Sequence, residues 1–415
     1  MDVLDLCCIG AGPKTIAIFS KVACLPENIR KKLKILCVEE NCVAGNWTPS
    51  GNLTNGYQNL GTRPEKDLIY PGNSKLSKLI NDSNFQNELE AFTWKSYLIS
   101  KYSYSNWIDM GMPNPTHFEW AKYLYWALGK ALETGSSSLK LQYGKVSKIK
   151  PKGRNWIIKI ENSDGKLTEI QAKRILLTGP GDQYHLSSDK SEYLLKDAWA
   201  NLDILAKKKK IIVIGGGESA GSFTQALLQH AIPNLEVNII APKGLKVRQE
   251  GFVENKFYSN AEEHGWHRLD KEAKTTFISK SDTGVCSKTI AEKLLNDSRV
   301  TVISGYVNDI KLDSLSNKKV IAYLRDGQEI SGCAVVNCTG FDNFKTIKNL
   351  YEGKFPFATR TDISVDKNFC IRSLDQDLII PALSTISNGP GYPNLSCLGL
   401  LSDNVLEPIV NSLDK

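Results

Sequence analysis

The chain has 415 residues, 41% hydrophobic and 23% charged, which excludes a disordered or fibrous protein and leaves room for two or three domains. Its net charge of +7 is spread along the sequence, and the one dense run, Lys207 to Lys210, leads straight into the apolar "IIVIG", so a solvated loop is expected there rather than a nucleic-acid surface. No apolar stretch approaches the ~18 residues of a membrane span. Asp2 and Asp5 occupy the place of a signal peptide's cationic region, so a cytoplasmic protein is expected.

The first element is "VLDLCCIGAGPKTIAIFSKVA": an apolar strand, a tight turn on Gly10 and Gly12, and a helix with apolar spacing through Ile16, Phe19 and Val22. Such a turn lets backbone approach a diphosphate, whose charge rests against the helix N-terminus. Thr15 stands where the full fingerprint has a third glycine. The next strand, "KILCVEE", ends in Glu39, near the ~20-residue offset of a carboxylate that holds a ribose hydroxyl. This unit is built for FAD or NAD.

Cys37 and Cys42 have the CxxxxC spacing of a redox pair, but Cys37 sits inside that apolar strand and reads as a core residue. The ten cysteines include no CxxC pair and suit a reducing compartment. His264 and His267 lie near one another without completing a ligand set, so no metal is expected. Trp120, Tyr123, Leu124 and Ala127 recur at helical spacing and read as core.

About two hundred residues later, "KKIIVIGGGESAGSFTQALL" repeats strand, turn (Gly215, Gly217, Ala220) and helix. Its following strand ends in Ala241, Pro242 and Lys243 without an acid, and Lys246 and Arg248 follow. A cationic strand end without a carboxylate favours the 2′-phosphate of NADPH. "RILLTGPGD" and "AVVNCTGFDN" are short β-rich runs ending in Thr-Gly, of the kind that join nested nucleotide domains. The expected architecture is α/β, with two Rossmann-like dinucleotide-binding domains for FAD and NADPH, the second inserted in the first, and a small helical substrate region. The expected limits are residues 1–195 for the first part of the FAD domain, 196–335 for the NADPH domain with a substrate-lining segment at 250–295, and 336–415 for the return.

The segments "VEENCVAGNW", "NLGTRPEKDLIYP", "WIDMGMPNPTHFEWAKYLYW", "GGGESA", "EGFVENKFYS", "DTGVCS" and "GPGYPNLSCLGLLSDNVL" span nearly the whole chain in order. Together they resemble the N-hydroxylating class B flavin monooxygenases of siderophore biosynthesis, and within them the mycobactin lysine N-hydroxylase branch. The resemblance implies NADPH- and O2-dependent hydroxylation of the N6 amine of lysine, or of an acylated lysine, through a flavin C4a-hydroperoxide. Hydroxylation of ornithine or a diamine, and another class B flavin monooxygenase, are the alternatives; a nucleotide-binding sensor without turnover is a third reading. The resemblance also implies FAD contacts at Gly10, Gly12, Pro13, Lys14, Glu39, Trp47, Gln58, Val146 and Leu395. It implies NADPH contacts at Gly215, Gly217, Glu218, Ser219 and Ala220, which Lys243 would join. Lys66 would hold a substrate carboxylate, and Asn255, Asp282 and Ser396 would line the substrate, with Glu254 able to replace Asn255. Lys66 and Asp67 are equally readable as a surface pair. Relatives often form dimers or tetramers, so self-association is an expectation.

Overall fold

In the computed structural model, residues 3–187, 191–230, 232–313 and 316–413 are described. Two five-stranded parallel sheets organise the chain. In the first, β1 (Leu6–Ile9) is central, with β2 (Ile35–Glu39) on one side and β3 (Arg174–Leu177) on the other. Strands Leu139–Tyr143 and Asp377–Ile379 close its edges. Cys7, Cys8 and Cys37 are fully buried in these strands, as a parallel sheet covered on both faces requires. Helix α1 (Pro13–Cys24) packs on the sheet with the long helix His117–Thr134 and the C-terminal helix Leu398–Val410. Trp120, Tyr123, Leu124 and Ala127 are fully buried, as their spacing predicts.

Charge locks α1 to the C-terminal helix. The Lys21 ammonium is buried, pairs with Asp403 and donates to the Gly399 carbonyl. Asp403 also accepts from Ser74 Oγ at 2.5 Å and from the Lys75 amide at 3.0 Å. The pair thus joins three distant segments inside one core.

The second sheet repeats the plan with β4 (Lys210–Ile214) at its centre and β5 (Glu236–Ala241) beside it. Helix α2 (Glu218–His230) follows the second glycine turn. Strands Val300–Ser304, Ala334–Asn337 and Tyr193–Leu194 complete the sheet. Val336 pairs with Tyr193 and Asn337 with Leu194, so this sheet begins before residue 196 and ends after residue 335. The expected limits therefore cut through paired strands. Two antiparallel three-stranded sheets, at 145–172 and 307–332, accompany the parallel ones. Among the described residues no helix is long and apolar enough to cross a membrane.

Candidate active site

The first glycine turn is shaped by its neighbours. Gly10 has φ +101°, and a Cβ there would strike the Thr178 hydroxyl. Gly12 caps α1 in an ordinary extended conformation, and a Cβ there meets nothing within 4 Å. Pro13 takes the first helical position, where its missing N–H costs nothing, and no side chain caps the helix N-terminus. Thr15 explains the missing third glycine: fully buried, it donates to the Gly10 carbonyl at 2.6 Å and ties the turn down. At the tip of β2, Glu39 accepts from the amides of Ala11 at 2.7 Å and Asn41 at 2.9 Å. A carboxylate oxygen has a second acceptor site, so Glu39 keeps capacity for a hydroxyl donor.

Lys14 turns back under the turn, donating to the Pro393 carbonyl at 3.0 Å and, more weakly, to the Thr178 carbonyl at 3.5 Å. Burial pushes its pKa down to about 8. Trp47 borders a small cavity of about 170 Å³ with Thr54, His117, Glu218 and Ser219. Gln58 is buried and accepts from the Thr54 hydroxyl, which lies 3.0 Å from His117 Nδ1. Burial pushes His117 down to about 4, so the imidazole is neutral at physiological pH. Leu395 packs on the first core from the C-terminal loop. Val146 buries its side chain with Leu36 and Val38 and lies on neither cavity wall.

A larger cleft of about 1100 Å³ has walls from both units. The second turn forms one wall: Gly215 has φ +129°, and a Cβ on it would meet the Cys338 carbonyl, as one on Gly217 would meet that of Gly284. Ala220 is fully buried beneath, and Ser219 is exposed. Glu218 accepts from the Ser287 amide at 2.6 Å while its other oxygen is buried without a partner, and desolvation raises its pKa. Lys243 is exposed beyond β5. Its companions are committed elsewhere: Lys246 donates to the Ser279 and Ser281 carbonyls, and Arg248 to the Gly61 carbonyl at 2.6 Å. The cationic strand end expected from sequence thus narrows to Lys243.

The opposite wall holds Lys66, which donates to Asn255 Oδ1 at 3.2 Å. Burial lowers its pKa, Glu250 opposes that shift, and Arg248 adds to it. Lys66 and Asp67 are no surface pair. Asp67 is buried, accepts from the amides of Ile69 at 3.0 Å and Trp94 at 2.8 Å, and is pushed up to about 6 by burial. It anchors the loop from which Lys66 projects. Asn255 lies on α3 (Phe252–Asn260), its amide donating to the Glu250 carbonyl at 3.2 Å. Glu254, one residue earlier, also lines the cleft and has a buried oxygen without a partner. Asp282 borders the cleft, but its carboxylate accepts from the amides of Gln249 at 2.9 Å and Glu250 at 2.8 Å, so it shapes the turn before α3. Ser396 lines the floor with Pro393. Among the described residues no cluster of three His, Cys, Asp or Glu side chains could hold a metal ion.

Sequence reading alone missed the contacts of Arg248 with Gly61 and of Lys14 with Pro393, whose partners lie far away in the chain. Nothing local marks them.

Residues 79–322 match the family model described as L-lysine 6-monooxygenase/L-ornithine 5-monooxygenase. The chain is 31% identical to the L-lysine N6-monooxygenase MbtG of Mycobacterium tuberculosis, over 97% of this chain and 94% of that protein. It superimposes on the lysine monooxygenase NbtG of Nocardia farcinica with a TM-score of 0.80 and 30% identity, covering 97% and 98% of the two chains. The ornithine N-hydroxylase KtzI of Kutzneria sp. 744, described with reduced FAD, NADP+ and L-ornithine, shares the fold at TM-score 0.74 and 15% identity, covering 99% and 100%.

Proposed function

The chain belongs to the L-lysine 6-monooxygenase/L-ornithine 5-monooxygenase family, and from that premise we propose how its residues serve the reaction. It is an FAD- and NADPH-dependent monooxygenase that hydroxylates the N6 amine of lysine or a lysine-derived siderophore precursor. The two turns fit these cofactors. At the first, the uncapped helix N-terminus and the open space beside Gly12 suit a diphosphate, and Glu39 suits the adenosine ribose. At the second, glycines bordering the cleft leave backbone exposed to NADPH, with Lys243 as the cation for its 2′-phosphate. Trp47, Gln58, Leu395 and the backbone of Val146 complete the FAD site in this reading. Bound FAD supplies the redox and oxygen chemistry, which the protein positions and shields from water.

The substrate must present a neutral amine. A lysine side chain titrates near ~10.4 in water, so the cleft has to favour the uncharged form. Desolvation does this, and the cations Lys66 and Arg248 on the same cleft discourage a second positive charge. No general base is required once the amine enters neutral.

The observation that carries the reading is Lys66, a cation on the cleft wall that donates to the neutral Asn255 and lies 5.7 Å from the centroid of the Tyr70 ring, with no carboxylate in ion-pair contact among the described residues. A substrate carboxylate takes Lys66, while the unpartnered Glu254 oxygen one residue from Asn255 is placed for the α-ammonium. This head-group arrangement favours a free amino acid over an acylated lysine or a diamine. Asp282 and Ser396 serve it indirectly, as turn anchor and floor.

Replacing Lys66 with Ala is expected to lower kcat/KM for free lysine ten- to hundredfold. A charge-assisted bond is worth ~1.5–3 kcal/mol, and ~1.4 kcal/mol is tenfold. Lysine carboxamide should be nearly indifferent to the change, and flavin reduction by NADPH should proceed normally. Ratios near one for both amines would make Lys66 structural. If neither amine accelerates NADPH consumption or yields a hydroxylated product with the wild-type enzyme, the lysine assignment itself fails.

A further inference from the structure

Lys14 is placed where a cation is costly. It stands in the first turn of α1, whose dipole already presents positive charge, and burial lowers its pKa. Its ammonium donates to two carbonyls, those of Pro393 and Thr178, and among the described residues it has no carboxylate partner. The nearby thiol of Cys397 is held neutral by burial, which pushes its pKa up. Such an arrangement awaits an anion.

The sheet order indicates which part of the cofactor supplies it. β2 and β3 flank β1 on opposite sides. With the diphosphate on the Gly10–Gly12 turn and the adenosine ribose at Glu39 on the β2 side, the other half of FAD runs toward β3. Thr178 follows β3, and Pro393 belongs to the cleft floor. The Lys14 ammonium bonds both, so it lies on the flavin side of the turn.

Hydride transfer from NADPH brings two electrons and one proton to the flavin and releases NADP+, leaving one negative charge on the reduced ring. We propose that Lys14 is the counter-charge of that reduced flavin: its ammonium keeps its proton, neutralises the ring and raises the cofactor's midpoint potential. The proposal rests on the FAD assignment but not on the identity of the amine substrate.

The test is the two-electron midpoint potential of the holoenzyme, measured by dye equilibration for wild type, Lys14→Gln and Lys14→Arg. Glutamine keeps an N–H donor for the Pro393 carbonyl and removes the charge. The Lys14→Gln potential should fall by at least 30 mV, which is tenfold for this couple. Lys14→Arg should stay near wild type. Lys14→Met, with no polar atom to bury, is the second variant should Gln fail to fold, and must show the same fall. An unchanged potential overturns the proposal. So does a folded variant that purifies without FAD, because the charge then serves the diphosphate. Wild-type protein without flavin would instead sink the cofactor assignment.

Discussion

Gly12→Val is expected to purify colourless but folded. Gly12 has φ −91° and ψ −176°, a conformation open to any residue, and a Cβ there touches no protein atom within 4 Å. The chain itself therefore has room for a Cβ, and the valine variant is expected to fold. The diphosphate does not, because valine fills the space through which it must approach backbone. Gly10→Val behaves differently. Its φ of +101° and the Thr178 hydroxyl in its path make that substitution a folding defect. Absorbance of the bound flavin and the melting temperature of apoprotein separate the two effects. Apoproteins are compared because bound FAD stabilises the folded state by mass action. A yellow Gly12→Val enzyme with a normal flavin spectrum would place FAD elsewhere.

The second large effect is on stability. Removing either partner of the Lys21–Asp403 pair leaves an uncompensated buried charge, a loss of ~3–5 kcal/mol. Asp403→Asn is expected to cost this much, since the Lys21 ammonium would keep only the Gly399 carbonyl and a neutral oxygen. The double variant Lys21→Met/Asp403→Leu should lose less than the sum of its two single variants, because no charge is then left buried alone, although the Ser74 hydroxyl and the Lys75 amide still lose their acceptor. Denaturant unfolding of the wild-type, Asp403→Asn, Lys21→Met, Asp403→Leu and double-variant apoproteins checks this. Additive losses in the double variant would show that the two charges do not act as a pair.

Both glycine turns and their strands were legible because strand, turn and helix follow one another within about twenty residues, and each leaves a local pattern. The nested order was legible from the two β-rich runs ending in Thr-Gly, at 174–182 and 334–343, that flank the second unit. The exact limits were not: strand Tyr193–Leu194 has two residues, too few for any periodicity, and joins its sheet through partners at Val336 and Asn337, far away in the chain. Side-chain duty was legible least. Asp282 and Asn255 look alike as polar residues of one segment, yet Asp282 is spent on two amides while Asn255 meets Lys66. Arg248 reads as cofactor charge in the sequence until Gly61, far upstream, takes it. Those choices are made by tertiary approach, on which local spacing is silent.

Lys66 and Gly61 come from the irregular stretch after β2 in the first unit, while Asn255 and Arg248, which bond them, come from the inserted one. The proposed substrate site therefore belongs to neither half alone. On the proposed site, a chimera that exchanged one nucleotide-binding module for a relative's would inherit its dinucleotide preference but would break the seam at which the amine is expected to bind. Shuffling modules can therefore change the fuel of such an enzyme far more readily than its diet, and a new amine specificity has to arise by matched changes on both sides of that seam.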